Sequence, residues 1–291
     1  MEFEEIASGY CFLEAPRVAG EHVWFTDLLL GGMHRLSPDG SIDVFLPDRT
    51  HIGGACLNED GRVICGGPGG LVWLDPDTGR SGPVLDRIEG EVFHGTNDFF
   101  PDGKGGLYFG TLGSGGEYEQ EQVPTAIFHI DADRRVTKQD DGLKFCNGIG
   151  LSPDGKRLYH VESLVGIYAY DVGPDGSLGH KALFSDRAEG DGLAVDAEGC
   201  VWVAMFDGGE IVRFRPDGSV ERRIDVPCKV VTSLCFGGPD WRDLYVATGG
   251  NVGVDAMLRG ELPPKEASLF HARSEVPGLP VPVTSFSLPP V

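Results

Sequence analysis

The sequence predicts an all-β fold, a six-bladed β-propeller built by residues 1–291 as one domain. Three observations point to it. Short β-rich runs recur every 39 to 51 residues, Asp-Gly turns separate many of them, and 44 glycines and 20 prolines are spread along the chain. Glycine costs about 1 kcal/mol and proline about 3 kcal/mol in a helix interior, so an all-α fold is excluded.

The turns set the phase of the repeat. They are Pro38-Asp39-Gly40, Asp60-Gly61, Pro101-Asp102-Gly103, Pro153-Asp154-Gly155, Pro174-Asp175-Gly176, Glu198-Gly199 and Pro216-Asp217-Gly218. Asp-Gly suits a hairpin because both central positions tolerate positive φ. Many are followed by a short apolar strand: WFTD from Trp24, VICGG from Val63, LYFGT from Leu107, LYHVES from Leu158, VWVAMF from Val201 and LYVAT from Leu244. Their starts lie 39, 44, 51, 43 and 43 residues apart. A period of about 40–50 residues with several strands per repeat is the signature of propeller blades. Trp24, Trp202 and Tyr245 fall within these strands and read as core.

The ring also has to close. Phe3-Glu4-Glu5-Ile6-Ala7 is a plausible edge strand for the last blade, beside LYVAT and the later runs SLFHA and TSFSL. Joining the two termini in one blade removes the open edge of a linear sheet. The prolines at 277, 280, 282, 289 and 290 argue against a C-terminal helix.

Composition bounds the partners. The formal net charge of −21 gives no positive face for a phosphate backbone, so a nucleic-acid partner is not expected. No apolar run approaches the roughly 18 residues of a membrane span, and MEFEEIASGY is acidic and lacks the basic-then-apolar order expected of a signal peptide. Seven cysteines without a CxxC pair read as free thiols of a reducing compartment, hence a soluble cytoplasmic protein. No obligate protein partner is evident.

Stepping back 10 or 11 residues from each repeat strand reaches Glu14, Gly53, Asn97, Asn147, Asp191 and Ser233. In a propeller the start of each innermost strand opens onto the central channel. Four of the six equivalent positions carry a carboxylate or an amide, so these groups converge at one channel end. Such a hard-oxygen set suits a divalent cation such as Ca²⁺, Mg²⁺ or Mn²⁺, with water completing the shell. Ser152 and Ser163 lack a Gly-x-Ser-x-Gly elbow, and the histidines show no HExxH spacing.

At these residues the chain resembles the gluconolactonase, regucalcin (senescence-marker-protein) and luciferin-regenerating-enzyme family. The resemblance rests on Glu14-Ala15-Pro16-Arg17, Thr96-Asn97-Asp98 running to Thr111, Asn147-Gly148 through Asp154-Gly155, Gly190-Asp191-Gly192 through Asp196, and Phe236-Gly237-Gly238 before LYVAT. It implies a six-bladed propeller that hydrolyses a small lactone to its hydroxy acid. It also implies that Glu14, Asn147 and Asp191 hold one divalent cation (Ca²⁺ first; Mg²⁺, Mn²⁺, Zn²⁺ or Fe²⁺ as alternatives), with Asn97 touching substrate and Asp191 doubling as general base.

Many sugar-lactone hydrolases of that family have an arginine two residues before the Asn-Asp pair, where this chain has Gly95. Phe93, Phe99, Phe100 and His94 surround that glycine in sequence, which points to a less hydroxylated lactone or one held differently. His94 and, by the family's acidic contact after Gly-Thr, Glu117 are further substrate-binding candidates. The Gly- and Glu-rich segment 112–123 is a solvated loop or a lid. Two rival readings keep the same residues: a propeller phosphoesterase or organophosphate hydrolase, and a non-enzymatic calcium-binding regulatory propeller.

Overall fold

The structure is a computed structural model that describes residues 1–115, 123–251, 259 and 261–290. Among these residues the regular structure is all β, in six sheets arranged as blades. The chain enters as β1 (Phe3–Tyr10), which belongs to the last blade. Blade 1 follows as β2 (Leu13–Ala19), β3 (His22–Asp27), β4 (Met33–Leu36) and β5 (Ile42–Phe45). Blade 2 contains β6 (Ala55–Leu57) and β7 (Val63–Cys65); after the short β8 (Gly67–Pro68) come its outer strands, β9 (Leu71–Leu74) and β10 (Ser81–Leu85).

Blade 3 is β11 (Gly95–Pro101), β12 (Leu107–Thr111), β13 (Thr125–Ile130) and β14 (Val136–Leu143), with β8 added beside β11. Blade 4 is β15 (Cys146–Leu151), β16 (Arg157–Glu162), β17 (Gly166–Val172) and β18 (Leu178–Ser185). Blade 5 is β19 (Gly190–Val195), β20 (Val201–Met205), β21 (Glu210–Phe214) and β22 (Val220–Asp225). Blade 6 takes β23 (Val231–Gly237), β24 (Asp243–Thr248) and β25 (Ala267–Arg273), and β1 completes it by antiparallel pairing from Phe3↔Ala272 to Tyr10↔Ala267. The innermost strands pack in a closed series, β2, β6, β11, β15, β19, β23 and back to β2.

The turns behave as the sequence predicts. The glycines of all seven have φ between 66° and 86°. In the Asp-Gly turns the Asp Oδ1 accepts the backbone N–H two residues on, as Asp39 does from Ser41 and Asp217 from Ser219. That local bond gives the chain an alternative to continuing the strand.

Each interface between neighbouring blades has its own apolar cluster. Trp24 and Met33 pack on Ile52 and Val63 between blades 1 and 2, and Trp202 packs on Phe236 between blades 5 and 6. Burial of apolar area at about 25 cal/mol per Å² makes these contacts the main cohesion between blades. Trp24 and Trp202 are buried core, as expected, while Tyr245 is half-buried.

One expectation is corrected. SLFHA forms β25, but TSFSL is no strand of the last blade. Residues 277–290 instead cross the far end of the ring: Leu279 N–H donates to Val195 O, Ser285 N–H to Gly105 O, and Thr284 pairs with Asn58. Phe286 is buried in the apolar cluster between blades 2 and 3. With β1 already on the outer edge of blade 6, no edge is open to TSFSL.

Candidate active site at the channel mouth

Glu14, Asn97, Asn147 and Asp191 lie near the starts of β2, β11, β15 and β19, and each is buried. A shared backbone irregularity places them. Pairing between the first and second strand slips between Glu14 and Arg17, Thr96 and Phe99, Cys146 and Ile149, and Gly190 and Leu193. Blade 6 slips at the same level, between Val231 and Ser233. Ala15, directly after Glu14, takes φ 49°, a value uncommon for a residue with a Cβ. A bulge bends its strand and re-aims side chains, so this recurrent irregularity turns the oxygen-bearing groups at the mouth.

Blade 2 departs from the pattern for a steric reason. A Cβ on Gly53 would lie 2.2 Å from Asn97 Oδ1, so the in-phase position of blade 2 has given its space to the amide of blade 3. Asn97 Nδ2 donates to Cys146 O at 2.8 Å and to Asn147 Oδ1 at 2.9 Å. Asn147 Nδ2 donates to Ser163 Oγ at 2.9 Å, and that hydroxyl donates to Gly190 O at 2.6 Å. Thr26 Oγ1 donates to Ile52 O and Thr232 Oγ1 to Leu13 O, joining blades 1 to 2 and 6 to 1. A belt of hydrogen bonds between blades therefore runs at the level of the site.

The electrostatics add a residue that sequence reasoning left without a role. Burial, followed by the charges of Asp191 and Asp98, pushes the Glu14 carboxyl well above the usual range; the Ala15 N–H and Arg17 pull it back. Burial also pushes Asp98 up to about 7, against the pull of Arg17. Asp191 is raised by burial and then by the charge of Asp98. Three buried carboxylates thus feel one another. Strict strand alternation turns neighbours to opposite faces, which is why Asp98 escapes notice beside Asn97. The bulge lifts that rule.

Among the described residues no three His, Cys, Asp or Glu side chains form a tight metal cage. The donor set still fits a hard divalent cation. Two carboxylates, Glu14 and Asp191, and the amide oxygen of Asn147 come from three blades, and buried like charges are costly without a counter-ion. Glu14, Asn147 and Asp191 would hold such an ion.

The neighbourhood of Gly95 differs from the sequence expectation. Gly95 has φ 142°, and a Cβ there would fall 2.2 Å from Gly67 O and 2.8 Å from Pro68 Cα. β8 pairs alongside it, Gly95 with Pro68 and Thr96 with Gly67, so backbone fills the place of a side chain. The three phenylalanines pack into the clusters between blades. Phe99 is buried in the cluster between blades 2 and 3, Phe93 packs edge-on to Phe109 at the same cluster, and Phe100 packs with the cluster between blades 3 and 4. Apolar rings of the first strand serve the blade interfaces, where the most area is removed from water.

His94 is half-buried in the loop before β11, where its carbonyl accepts the Gly69 N–H. Glu117 lies outside the described residues. A cavity of about 790 Å³ opens at the other end of the ring, between blades 3 and 4 and the C-terminal crossing, lined by Asp102, Lys104, Lys156, Pro174 and Pro280. It lies at the strand ends opposite Glu14, Asn147 and Asp191.

Fold and site together define a propeller whose channel mouth gathers buried oxygen ligands from several blades. The chain belongs to the family described as SMP-30/Gluconolactonase/LRE-like region, whose sequence profile matches residues 13–250. It is 31% identical to a 6-deoxy-6-sulfogluconolactonase of Pseudomonas putida, over 94% of this chain and 97% of that one. It is 30% identical to a pentonolactonase of Haloferax volcanii, over 83% of this chain and 82% of that one. Among solved structures it is similar to a calcium-binding protein, regucalcin, from Agrobacterium tumefaciens, with TM-score 0.83, 23% identity and 97% of both chains covered.

Proposed function

We propose that this protein is a single-domain, divalent-metal-dependent lactone hydrolase that opens a small lactone to its hydroxy acid. The observation that carries the reading is the convergence of Glu14, Asp98 and Asp191 as buried carboxylates beside the amides of Asn97 and Asn147. Family membership and the two lactonase relatives support it. Glu14, Asn147 and Asp191 hold the cation. Calcium is favoured by the hard-oxygen donors and by the calcium-binding structural relative.

A bound divalent cation supplies Lewis-acid polarisation of a carbonyl oxygen. Asp191 accepts a proton from the attacking water as its oxygen adds to the carbonyl carbon. The ring C–O bond then breaks, the ring oxygen takes up a proton, and the product is a hydroxy acid. Asn97, held by Cys146 O and Asn147 through Nδ2, keeps its Oδ1 out of these bonds, and that oxygen is the acceptor it offers a substrate hydroxyl or water. His94 and Glu117 are the remaining substrate-side candidates. All seven cysteines are free and buried, in keeping with a cytoplasmic setting, and no helix among the described residues is long and apolar enough to cross a membrane.

The test is a grid of Ca²⁺, Mg²⁺, Mn²⁺, Zn²⁺ and Fe²⁺ against sugar and aliphatic lactones on chelator-stripped protein, read as acid release. Metal-dependent release above the spontaneous rate, lost in Asp191→Ala with the fold intact, is the expected result. Turnover of paraoxon-type esters alone would transfer the reading to the phosphoesterase. Metal binding without any turnover would transfer it to the calcium-binding regulatory propeller.

A further inference from the structure

Fully ionised, the carboxyls of the mouth carry more negative charge than one divalent cation balances. Glu14, Asp98 and Asp191 sum to minus three when ionised. Arg17 is the fourth charged group. It stands three residues after Glu14 on β2, beyond the bulge, and its charge acts on Glu14 and Asp98. The same guanidinium acts on the buried thiols of Cys56 in β6 and Cys235 in β23. Groups on the inner strands of blades 1, 2, 3 and 6 thus all lie within reach of its charge.

Arg17 Nη1 donates to the carbonyl of its own neighbour, Pro16, at 2.7 Å. Its Nε is buried with no hydrogen-bond partner among the described residues. A buried unsatisfied donor is a cost, and nearby carboxylates offset it only by their field. Arg17 therefore brings one positive charge to the mouth.

We propose that Arg17 is a positioning residue that sets the net charge of the mouth to minus two and so matches it to a single divalent cation. This rests on the metal-dependent reading above. The number of ligand charges tunes affinity and selectivity in oxygen-donor sites. Without Arg17 the mouth is minus three and favours a trivalent ion. Without Asp98 it is minus one and disfavours such an ion.

The experiment measures Ca²⁺ and Tb³⁺ affinity by titration calorimetry on chelator-stripped full-length protein. Relative to the parent, the preference for Tb³⁺ over Ca²⁺ rises by about tenfold or more in Arg17→Met and falls by about as much in Asp98→Asn. Arg17→Lys keeps the parent ratio, and the Arg17→Met/Asp98→Asn double variant returns to it. A folded Arg17→Met with an unchanged ratio overturns the proposal, even if that variant is less stable. If Arg17→Met does not fold, an unchanged ratio in Asp98→Asn overturns it instead. Parent protein that binds neither ion would overturn the metal-dependent reading itself and this inference with it.

Discussion

Asn97 and Asn147 are joined side chain to side chain, Nδ2 of the first donating to Oδ1 of the second at 2.9 Å across the interface of blades 3 and 4. The bond leaves Asn147 one acceptor direction on the same oxygen and fixes which end of its amide faces the channel, because Nδ2 is spent on Ser163.

Asn97→Ala therefore acts on the cation through Asn147. We expect metal affinity to fall roughly tenfold to a hundredfold, as when an outer hydrogen-bond partner of a metal ligand is lost. Stability should fall by about 1–3 kcal/mol, since Asn147 loses one buried partner. Calorimetric titration and urea unfolding measure the two effects, and unchanged affinity would show that the amide pair does not orient the ligand.

Gly95 admits no side chain where β8 presses on it. Gly95→Ala should destabilise the protein by about 1–3 kcal/mol, from a strained backbone angle together with a clash against backbone. Gly95→Arg should lose at least as much and fail to add a sugar-hydroxyl contact. Denaturant midpoints check the first claim, and the KM for a sugar lactone in whatever protein remains folded checks the second.

His160 is fully buried, and neither ring nitrogen has a hydrogen-bond partner among the described residues. Burial lowers its pKa to about 3, from the usual 6.5. The native state thus holds the ring neutral where the unfolded chain binds a proton. Stability is fully present above about 6.5 and falls as pH drops toward 3, with a slope near 1.4 kcal/mol per pH unit. His160→Leu should remove that part of the acid sensitivity. Melting temperatures from pH 4 to 8 for both proteins decide it: parallel curves would refute the assignment.

Phe286→Ala probes the C-terminal crossing. The ring is buried with Trp73 and Phe128 between blades 2 and 3, so truncation should cost about 3–5 kcal/mol. The site is at the opposite end of the channel, so KM should stay unchanged in the folded fraction. A shifted KM would show that the two ends of the channel are coupled.

Much of this molecule is legible along the chain because a propeller repeats within short stretches. Each Asp-Gly turn and each strand such as LYFGT is a local event, so the period, the blade count and the phase of Glu14, Asn97, Asn147 and Asp191 survive in the sequence. The pairing of Phe3–Tyr10 with the last blade follows from the need to close an edge. What only the tertiary structure decides involves neighbours distant in sequence. Gly53 is bare because Asn97 fills its place, and Gly95 is bare because Gly67 and Pro68 lie against it. Phe99 turns to a blade interface rather than to the mouth, and residues 277–290 cross the far end instead of adding a strand. Asp98 and Arg17 join the site for the same reason. A bulge breaks the two-residue alternation from which side-chain direction is read, and charge acts through space between blades rather than along the chain.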